Sequence, residues 1–257
     1  MTNKEYRDSE GISRSELSVL LDKTPLHFKY ERENPEKETP SLLFGRAAHK
    51  MILEPQTFFN EFAIAPTVDR RTKQGKEEYN EFCQLNEGKG ILSVDDYEVI
   101  RAMKKAVDEH PIASALLFDG DFEQSFFWTD HETGERCKVR PDCMNTHKGV
   151  SYIIDYKTTD SCSDGAFERS VRKYHYKFQA GMYREGVFQN TYRDYVFVFI
   201  AQEKSAPYAV RVYFCTDEFV NEGYDEFRYA IGLYHECKTK NEWPGYDDSI
   251  LTEEGGE

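Results

Sequence analysis

Two short motifs bring two aspartates and a lysine close together in the sequence. Twelve residues separate Asp142, which follows Pro141, from an Asp-x-Lys motif made by Asp155, Tyr156 and Lys157. Two carboxylates suit Mg²⁺, which takes oxygen ligands in near-octahedral geometry. Such an ion polarises phosphoryl oxygens and lowers the pKa of a bound water, and a lysine can orient that water or offset the charge on a pentavalent phosphate. The spacing therefore predicts metal-dependent cleavage of phosphodiester bonds, with a nucleic acid as the substrate.

The Asp-x-Lys motif lies in a run of strand-forming residues, Tyr152–Lys157. Residues i and i+2 of a strand face the same side, so Asp155 and Lys157 are predicted to point together. Asp142 is predicted to end the preceding strand and to approach Asp155 through the turn at 147–149. An Asp-x-Lys alone is more often a surface ion pair, but the apolar residues before Asp155 argue against a solvated face.

Two further elements occur at a distance in the sequence. His49 closes a Gly-x-x-x-His segment on a mostly apolar predicted helix, where a lone histidine is more often a residue of the core. Gln179 and Tyr183 are four residues apart and share one face of another predicted helix, which alone indicates ordinary amphipathic packing.

Taken in this order, the four elements resemble the RecB-like branch of the PD-(D/E)XK nucleases. Within that branch the chain is similar to the C-terminal nuclease domain of the RecE (exonuclease VIII) type, from about residue 41 to 244. Full-length RecE carries a long N-terminal extension that has no counterpart in this sequence, and the extension is not expected to hold the chemistry. The matching segments are Phe44–His49, Leu53–Pro55, Asp69–Lys76, Arg140–Asp142, Asp155–Thr158, Gln179–Tyr183 and Asn241–Pro244.

The resemblance implies a role for each residue of the expected metal site. His49, Asp142 and Asp155 would bind Mg²⁺, for which Mn²⁺ can substitute, and the backbone carbonyl of Tyr156 would be an extra ligand. Lys157 would be the catalytic lysine. A further residue, Glu123, lies at the start of a predicted strand, where such nucleases often carry a glutamate near a second metal; an edge carboxylate without function is the alternative.

The resemblance also implies DNA contacts. Gln179 and Tyr183 would line the cleft and contact the DNA backbone. A basic loop would contact phosphates, including the 5′ end, unless it is an ordinary solvated turn. Its residues are Arg70, Arg71, Lys73 and Lys76.

The function implied by the resemblance is a Mg²⁺-dependent 5′-to-3′ exonuclease that degrades one strand of linear double-stranded DNA. The remaining 3′ overhangs would serve phage- or prophage-type recombination with a RecT-type single-strand annealing protein. The family forms toroidal oligomers, so a homo-oligomeric ring, with a tetramer favoured, is expected. Two alternatives stay open: a structure-specific or restriction-type endonuclease, and a catalytically silent DNA-binding or scaffold protein.

The charge pattern bears on the DNA prediction. The 257 residues carry a net charge of −14, but residues 217–257 hold 12 acidic and 3 basic residues. Residues 134–184, which contain both motifs, hold 10 basic and 6 acidic residues. Since phosphate binding needs a local basic surface, the total charge does not exclude DNA. In a ring, the basic part would face the channel and the acidic C-terminal helix the outside.

Other features of the sequence bear on the cellular compartment of the protein. No run of about 18 apolar residues occurs, and the first ten residues lack the apolar core of a secretory signal. The six cysteines include no Cys-x-x-Cys pair, a pattern that fits a reduced compartment, and no cysteine cluster closes the C-terminal part, which argues against an iron–sulfur cluster. A reduced, cytoplasmic location without membrane attachment is therefore expected.

The elements predicted to position these residues form one α/β domain with a restriction-endonuclease-like central mixed sheet flanked by helices. A helical part is predicted at about 1–118, the catalytic sheet at about 119–216, and a C-terminal helix with an acidic tail at 217–257. The predicted helices begin at the capping box Ser13–Glu16 and after Pro25, and continue with 41–53, 76–87, 94–109, 166–189 and 217–238. The predicted strands are 62–65, 123–128, 138–145, 150–157, 195–201 and 208–215.

Overall fold

The computed structural model describes residues 1–35 and 38–248. Within these ranges, mixed β-sheets are flanked by helices, which confirms the predicted mixed α/β fold. The helices are α1 (Asn3–Asp8), α2 (Arg14–Leu17), α3 (Val19–Asp22), α4 (Pro25–Glu33), α5 (Pro40–Leu53), α6 (Phe58–Glu61), α7 (Lys73–Leu85), α8 (Val94–Glu109), α9 (Pro111–Leu117), α10 (Asp164–Lys173), α11 (Tyr176–Thr191) and α12 (Asp217–Lys240). The strands are β1 (Ile12–Ser13), β2 (Phe62–Ile64), β3 (Gly90–Leu92), β4 (Asp121–Phe122), β5 (Phe126–Thr129), β6 (Arg136–Val139), β7 (Cys143–His147), β8 (Val150–Thr159), β9 (Val196–Glu203) and β10 (Val210–Phe214).

The central sheet has the strand order β10-β9-β8-β7-β4. Strands β8 and β9 are parallel, while the other neighbours in this sheet are antiparallel. A parallel pair needs a long crossover, and helices α10 and α11 provide it between β8 and β9. The crossover places α11 against the strand that carries the Asp-x-Lys motif.

The two faces of the sheet pack against different helices. On one face, Ile153 and Phe199 join a buried cluster with residues of α10, α11 and α12. On the other face, Ile154 and Tyr156 join a cluster with residues of α5, α8 and α9. Because side chains alternate along a strand, Asp155 faces the side covered by α11, as the sequence predicts for its relation to Ile154 and Tyr156.

The predicted strand 138–145 is wrong as a single element. It is divided into β6, which belongs to a separate sheet of order β1-β6-β5, and β7 of the central sheet. Pro141 lies between them and has no N–H to donate to a ladder, so the pairing ends there. Asp142 therefore precedes β7 rather than ending an earlier strand.

This division leaves one edge of β8 open. The last pair between β7 and β8 is Cys143 with Ile154, whereas β8 remains paired with β9 as far as Thr159. From Asp155 onward, β8 thus presents an edge that no strand of the central sheet covers. The open edge begins at the motif residues.

Several other boundaries differ from the sequence prediction, and two of these differences change an element near the motif residues. The strand predicted to begin at Glu123 begins at Phe126, since Glu123 has a φ of 54° and cannot continue a strand. The helix predicted over 166–189 is two helices, α10 and α11, separated by a turn in which His175 has a φ of 50°. Helices α1, α6 and α9 and strands β1, β3 and β4 are additional to the predicted elements.

The C-terminal helix α12 runs to Lys240, two residues beyond its predicted end. The last part of the predicted acidic tail, 249–257, lies outside the described residues. No helix within residues 1–35 and 38–248 combines the length and the apolar character needed to cross a bilayer.

Candidate metal centre

Asp142 is fixed against the open edge of β8. Its Oδ2 accepts a hydrogen bond of 2.8 Å from the backbone N–H of Tyr156, where a strand partner would otherwise bond. In an extended strand, the N–H and C=O of one residue point to the same edge. The Tyr156 carbonyl is therefore directed to the side on which Asp142 lies, as its predicted role as an extra ligand requires.

His49 reaches the same point from the opposite helix layer. Helix α5 begins after Thr39, whose side chain accepts a hydrogen bond from the Leu42 N–H, and Pro40 occupies its first turn. The helix buries the apolar residues of its second half, from Ala47 to Leu53, and leaves His49 half-buried on the side facing β8. The Nε2 of His49 lies 2.7 Å from the Oδ2 of Asp142, so the two predicted ligands are in direct contact.

Glu123 completes a three-residue cluster. Its Oε1 lies 3.6 Å from the Nδ1 of His49, and its Oε2 accepts a 2.6 Å hydrogen bond from the Nε of Arg140. In the described part of the chain, His49, Glu123 and Asp142 offer one ligand atom each within 4.8 Å of one another. The structure thus brings Glu123 to the ligands that were predicted for the first metal.

Asp155 adjoins this cluster but is held by other partners. Its carboxylate is almost fully buried, the Nζ of Lys157 lies 2.6 Å from Oδ2, and the side-chain amide of Gln179 donates to Oδ1. The contact with Lys157 confirms that the two side chains of the Asp-x-Lys motif point together. The role predicted for Gln179, a DNA contact, stays a prediction; in the structure its amide is buried against Asp155.

The acidic groups influence one another through a poorly hydrated site. Burial and the charge of Asp142 raise the pKa of Asp155 to about 6, against the opposing effect of Lys157. Burial and Asp142 also raise the pKa of Glu123. Burial would lower the pKa of His49, but Asp142, Glu123 and Asp155 outweigh it and raise that pKa to about 9. These raised pKa values indicate an excess of negative charge at the site, which a bound cation would offset.

The donor set fits a hard divalent cation. Three carboxylates and a backbone carbonyl are oxygen ligands of the kind that Mg²⁺ and Mn²⁺ prefer, and one imidazole is compatible with Mn²⁺. The Oδ2 of Asp155 has a charge contact with Lys157 but no well-directed hydrogen bond, so it retains a lone pair for a further ligand. The donor atoms of the cluster and of Asp155 are therefore of the chemical type that a divalent metal ion takes.

A cleft with a volume of about 960 Å³ opens over these residues. Asp142, Asp155, Lys157, Gln179 and Tyr183 line it, together with residues of α1. The structure places both Gln179 and Tyr183 at the cleft, and the contact of either residue with DNA stays a prediction. The cleft is large enough to admit a nucleotide to the carboxylates.

The basic loop lies outside this cleft. Arg70 stacks over the Tyr79 ring at 4.0 Å, and Arg71 pairs with Asp69 at 3.0 Å. Lys73 and Lys76 are exposed on the first turns of α7. None of the four is among the residues that line the cleft, so their binding of phosphates stays a prediction.

Arg140 and Lys138 are site residues without a predicted role. Arg140 fixes Glu123 and also donates to the backbone carbonyls of Met1 and Thr2. The Nζ of Lys138 is buried and donates to three carbonyls at the end of α1. The position of Arg140 directly before Pro141 was a sequence signal for its role in the site. Lys138 gave no such signal, because it is one lysine in a strand of alternating residues.

Comparisons with known proteins identify the family. A family model described as "PDDEXK-like domain of unknown function (DUF3799)" matches residues 15–251. The crystal structure of a "Putative exonuclease" from Eubacterium rectale superposes with a TM-score of 0.65 at 14% identity, covering 100% of this chain and 96% of that one. The crystal structure of SSO0001 has a TM-score of 0.39 at 14% identity, over 90% and 82% of the two chains. None of the curated proteins matches the sequence. At 14% identity, the similarity to the E. rectale structure shows that the two proteins share a fold.

Proposed function

We propose that this chain, which belongs to the family of PDDEXK-like domains of unknown function (DUF3799), is a metal-dependent nuclease that hydrolyses phosphodiester bonds of DNA. The observation that carries the proposal is the continuous line of contacts from His49 through Asp142 to the edge of β8, where Asp155 holds Lys157. These residue types, in this order along the chain, are those of the PD-(D/E)XK pattern.

His49, Glu123, Asp142 and Asp155 would hold the metal, with the carbonyl of Tyr156 as a further ligand. When bound, the ion polarises the scissile phosphate and lowers the pKa of a coordinated water. The protein keeps the ligands in place through directed contacts from groups that are not ligands. The Tyr156 N–H fixes Asp142, Arg140 fixes Glu123, and Gln179 fixes Asp155.

Lys157 acts on the reacting atoms. Asp155 holds its ammonium group at 2.6 Å, yet the side chain keeps 22% of its surface exposed and lines the cleft. From there it donates hydrogen bonds to the attacking water and to a phosphate oxygen, so that the water approaches in line with the leaving oxygen. Its charge offsets the negative charge that develops on the phosphate.

We infer further that the reaction is the removal of nucleotides from DNA ends, in the 5′-to-3′ direction on linear duplex DNA. The RecE-like segments of the sequence support the direction, and the name of the E. rectale protein supports an exonuclease. The products would be 3′ single-stranded overhangs, for which a RecT-type annealing protein is the proposed partner. A homo-oligomeric ring, a tetramer by preference, is the proposed assembly.

The test is digestion of duplex DNA labelled at the 5′ or the 3′ end, with a covalently closed circle alongside, in Mg²⁺ and in EDTA. We expect Mg²⁺-dependent loss of linear DNA, early release of the 5′ label and an intact circle. Release that starts at the 3′ ends contradicts the direction, and cutting of the circle indicates an endonuclease. Binding of duplex ends without turnover in Mg²⁺ or Mn²⁺ indicates a catalytically silent protein.

A further inference from the structure

A second cavity adjoins the metal centre, and Arg7 of α1 lines both this cavity and the cleft. Its volume is about 610 Å³, and both His49 and Lys157 line it. Its outer wall is formed by Tyr174, which is 48% exposed, and by Leu42, which is 56% exposed. An exposed aromatic ring beside a catalytic lysine is a surface for which the proposed mechanism has no use.

The Tyr174 ring is part of an aromatic stack that ends at Lys157. It stacks on Tyr176 with ring centroids 5.8 Å apart and planes inclined by 28°. Tyr176 is buried and stacks in turn on Phe199 of β9. The Nζ of Lys157 lies 5.0 Å from the centroid of the Tyr176 ring. One face of Tyr174 is therefore supported by the core while the side chain stays open to the cavity.

The backbone that carries Tyr174 is held in place from outside the turn. The Arg14 guanidinium donates to the carbonyl oxygens of Tyr174 and His175. The Nε2 of His175 lies 2.8 Å from the Oδ1 of Asp22. These contacts fix the position of the ring, so that stacking on it costs little conformational entropy.

The charges that line this cavity favour a phosphodiester strand. Its basic side chains are Arg7, Arg46, Lys157 and Lys204, and Glu38 is the acidic one. Glu38 forms an ion pair with Arg46 and partly offsets its positive charge. Asp160 forms an ion pair with Lys204. Basic side chains along a groove that also offers an aromatic face are the combination by which proteins hold single-stranded nucleic acid.

We propose that this cavity is a subsite for an unpaired nucleobase of the DNA strand being cut, which stacks on Tyr174. The proposal rests on the proposed nuclease function and adds the form of the substrate: the nucleotide beside the scissile phosphate leaves the duplex. Lys173, which lies 5.1 Å from the centroid of the Tyr174 ring and is exposed, moves to the phosphate of the stacked nucleotide. Stacking explains why an aromatic ring is exposed and supported next to Lys157.

The experiment places 2-aminopurine, a fluorescent base whose emission is quenched by stacking, in the terminal nucleotides of a duplex with a short unpaired DNA tail. The DNA is titrated with the full chain in Ca²⁺, which replaces Mg²⁺ to limit cleavage. The variants are Tyr174→Ala, Tyr174→Phe and Tyr192→Ala, and each is checked for folding by thermal unfolding. Tyr192 is the matched control because it is 79% exposed and lies at the other end of α11, roughly 24 Å away along the helix.

We expect quenching with the wild type, Tyr174→Phe and Tyr192→Ala. Tyr174→Ala should lose the quenching and bind the tailed DNA roughly 5- to 150-fold more weakly, the range that corresponds to the stacking of one base on an aromatic side chain. Unchanged quenching and affinity in Tyr174→Ala, while the wild type cuts DNA in Mg²⁺, overturns the subsite alone. If the wild type cuts no DNA, the proposed function and the subsite both fall.

Discussion

The side-chain amide of Gln179 donates a hydrogen bond to the carboxylate of Asp155, which lies 24 residues earlier in the chain. The bond ties helix α11 to the strand that carries the Asp-x-Lys motif. Gln179 is only 3% exposed, so this hydrogen bond is buried. Gln179 therefore positions Asp155, one of the proposed metal ligands.

Replacing Gln179 by alanine should weaken metal binding. Partners that orient a ligand typically contribute about 10- to 100-fold to metal affinity, and the variant leaves one oxygen of Asp155 without its donor. Calorimetric titration with Mn²⁺ in the absence of DNA measures the effect. Gln189→Ala is the control, since that residue is on the same helix and bonds to Glu185. Equal affinity in both variants contradicts the positioning role.

Two glycines set the distance between α11 and α12. A Cβ at Gly181 would collide with the backbone of Gly223 and Tyr224, and one at Gly223 would collide with the backbone of Lys177. Gly181→Ala or Gly223→Ala should lower the free energy of unfolding by about 3 kcal/mol or more, because packed backbones cannot yield. Metal affinity should fall as well, since α11 carries Gln179.

Gly232 provides the control on α12. A Cβ there meets no atom within 4 Å, so Gly232→Ala should raise the free energy of unfolding by about 0.5–1 kcal/mol. Urea denaturation of the three variants makes the comparison. If all three change stability equally, the close crossing of α11 and α12 is not what the glycines provide.

A buried ion pair joins the β5–β6 turn to α12. Arg228 donates to both carboxylate oxygens of Asp130, which is 2% exposed. Asp130→Asn removes the buried counter-charge of Arg228, leaves it only the exposed Glu132 as an acidic partner, and should lower the free energy of unfolding at pH 7 by about 3 kcal/mol. Glu132 also contacts Arg228 but is 59% exposed, so Glu132→Gln should change it by less than about 1 kcal/mol. Urea denaturation midpoints at pH 7 distinguish the two.

The same pair predicts a dependence on pH. Burial would raise the pKa of Asp130, but hydrogen bonds from Arg228 and Thr133 outweigh it and hold the pKa below the ordinary 3.8. A carboxyl group whose pKa is lower in the folded state than in the unfolded state stabilises the fold at pH values above its unfolded-state pKa. This stabilisation is lost as the pH falls through its folded-state pKa. The stability difference between wild type and Asp130→Asn should therefore be constant from pH 7 to about 5 and shrink only below about 4. A difference that already shrinks near pH 6 contradicts this assignment.

Metal ions should raise the melting temperature. Burial and the charge of Asp142 raise the pKa of Asp155 and of Glu123, so their ionised forms oppose folding until a cation offsets them. A ligand at 100 times its dissociation constant stabilises the folded protein by about 2.7 kcal/mol. For a chain of this size that is a rise of roughly 5–10 °C in Mg²⁺ or Mn²⁺. Asp142→Asn should abolish the rise and Glu123→Gln should reduce it. Calorimetric scans with and without EDTA test this, and a full rise in Asp142→Asn places the ion elsewhere.

The local part of the site could be predicted from the sequence. The two-residue period of a strand places Asp155 with Lys157, and the structure has them in contact. Proline chemistry could also have divided the predicted strand 138–145, since Pro141 has no N–H for a ladder. The capping residue His110 with Pro111 at the first helical position was a signal for α9 that the pattern of apolar residues did not give.

The long-range part could not be predicted from local patterns. Gln179 meets Asp155 only because the crossover returns α11 across β8, and no spacing along the chain encodes that approach. Glu123 joins His49 because its backbone leaves the strand region, with a φ of 54°, and Arg140 holds its carboxylate. Both relations depend on the packing of the whole sheet.

The central claim is that Lys157 and the carboxylates beside it cleave DNA, and single-turnover digestion of linear duplex DNA in Mg²⁺ tests it most directly. Wild type, Lys157→Ala and Asp155→Ala are compared, with Mn²⁺ affinity measured on the same samples. We predict that Lys157→Ala loses about 100-fold or more in rate while it keeps its metal, because it removes a charge that acts on the phosphate. Asp155→Ala should lose both rate and metal. Cleavage by Lys157→Ala at the wild-type rate contradicts the account.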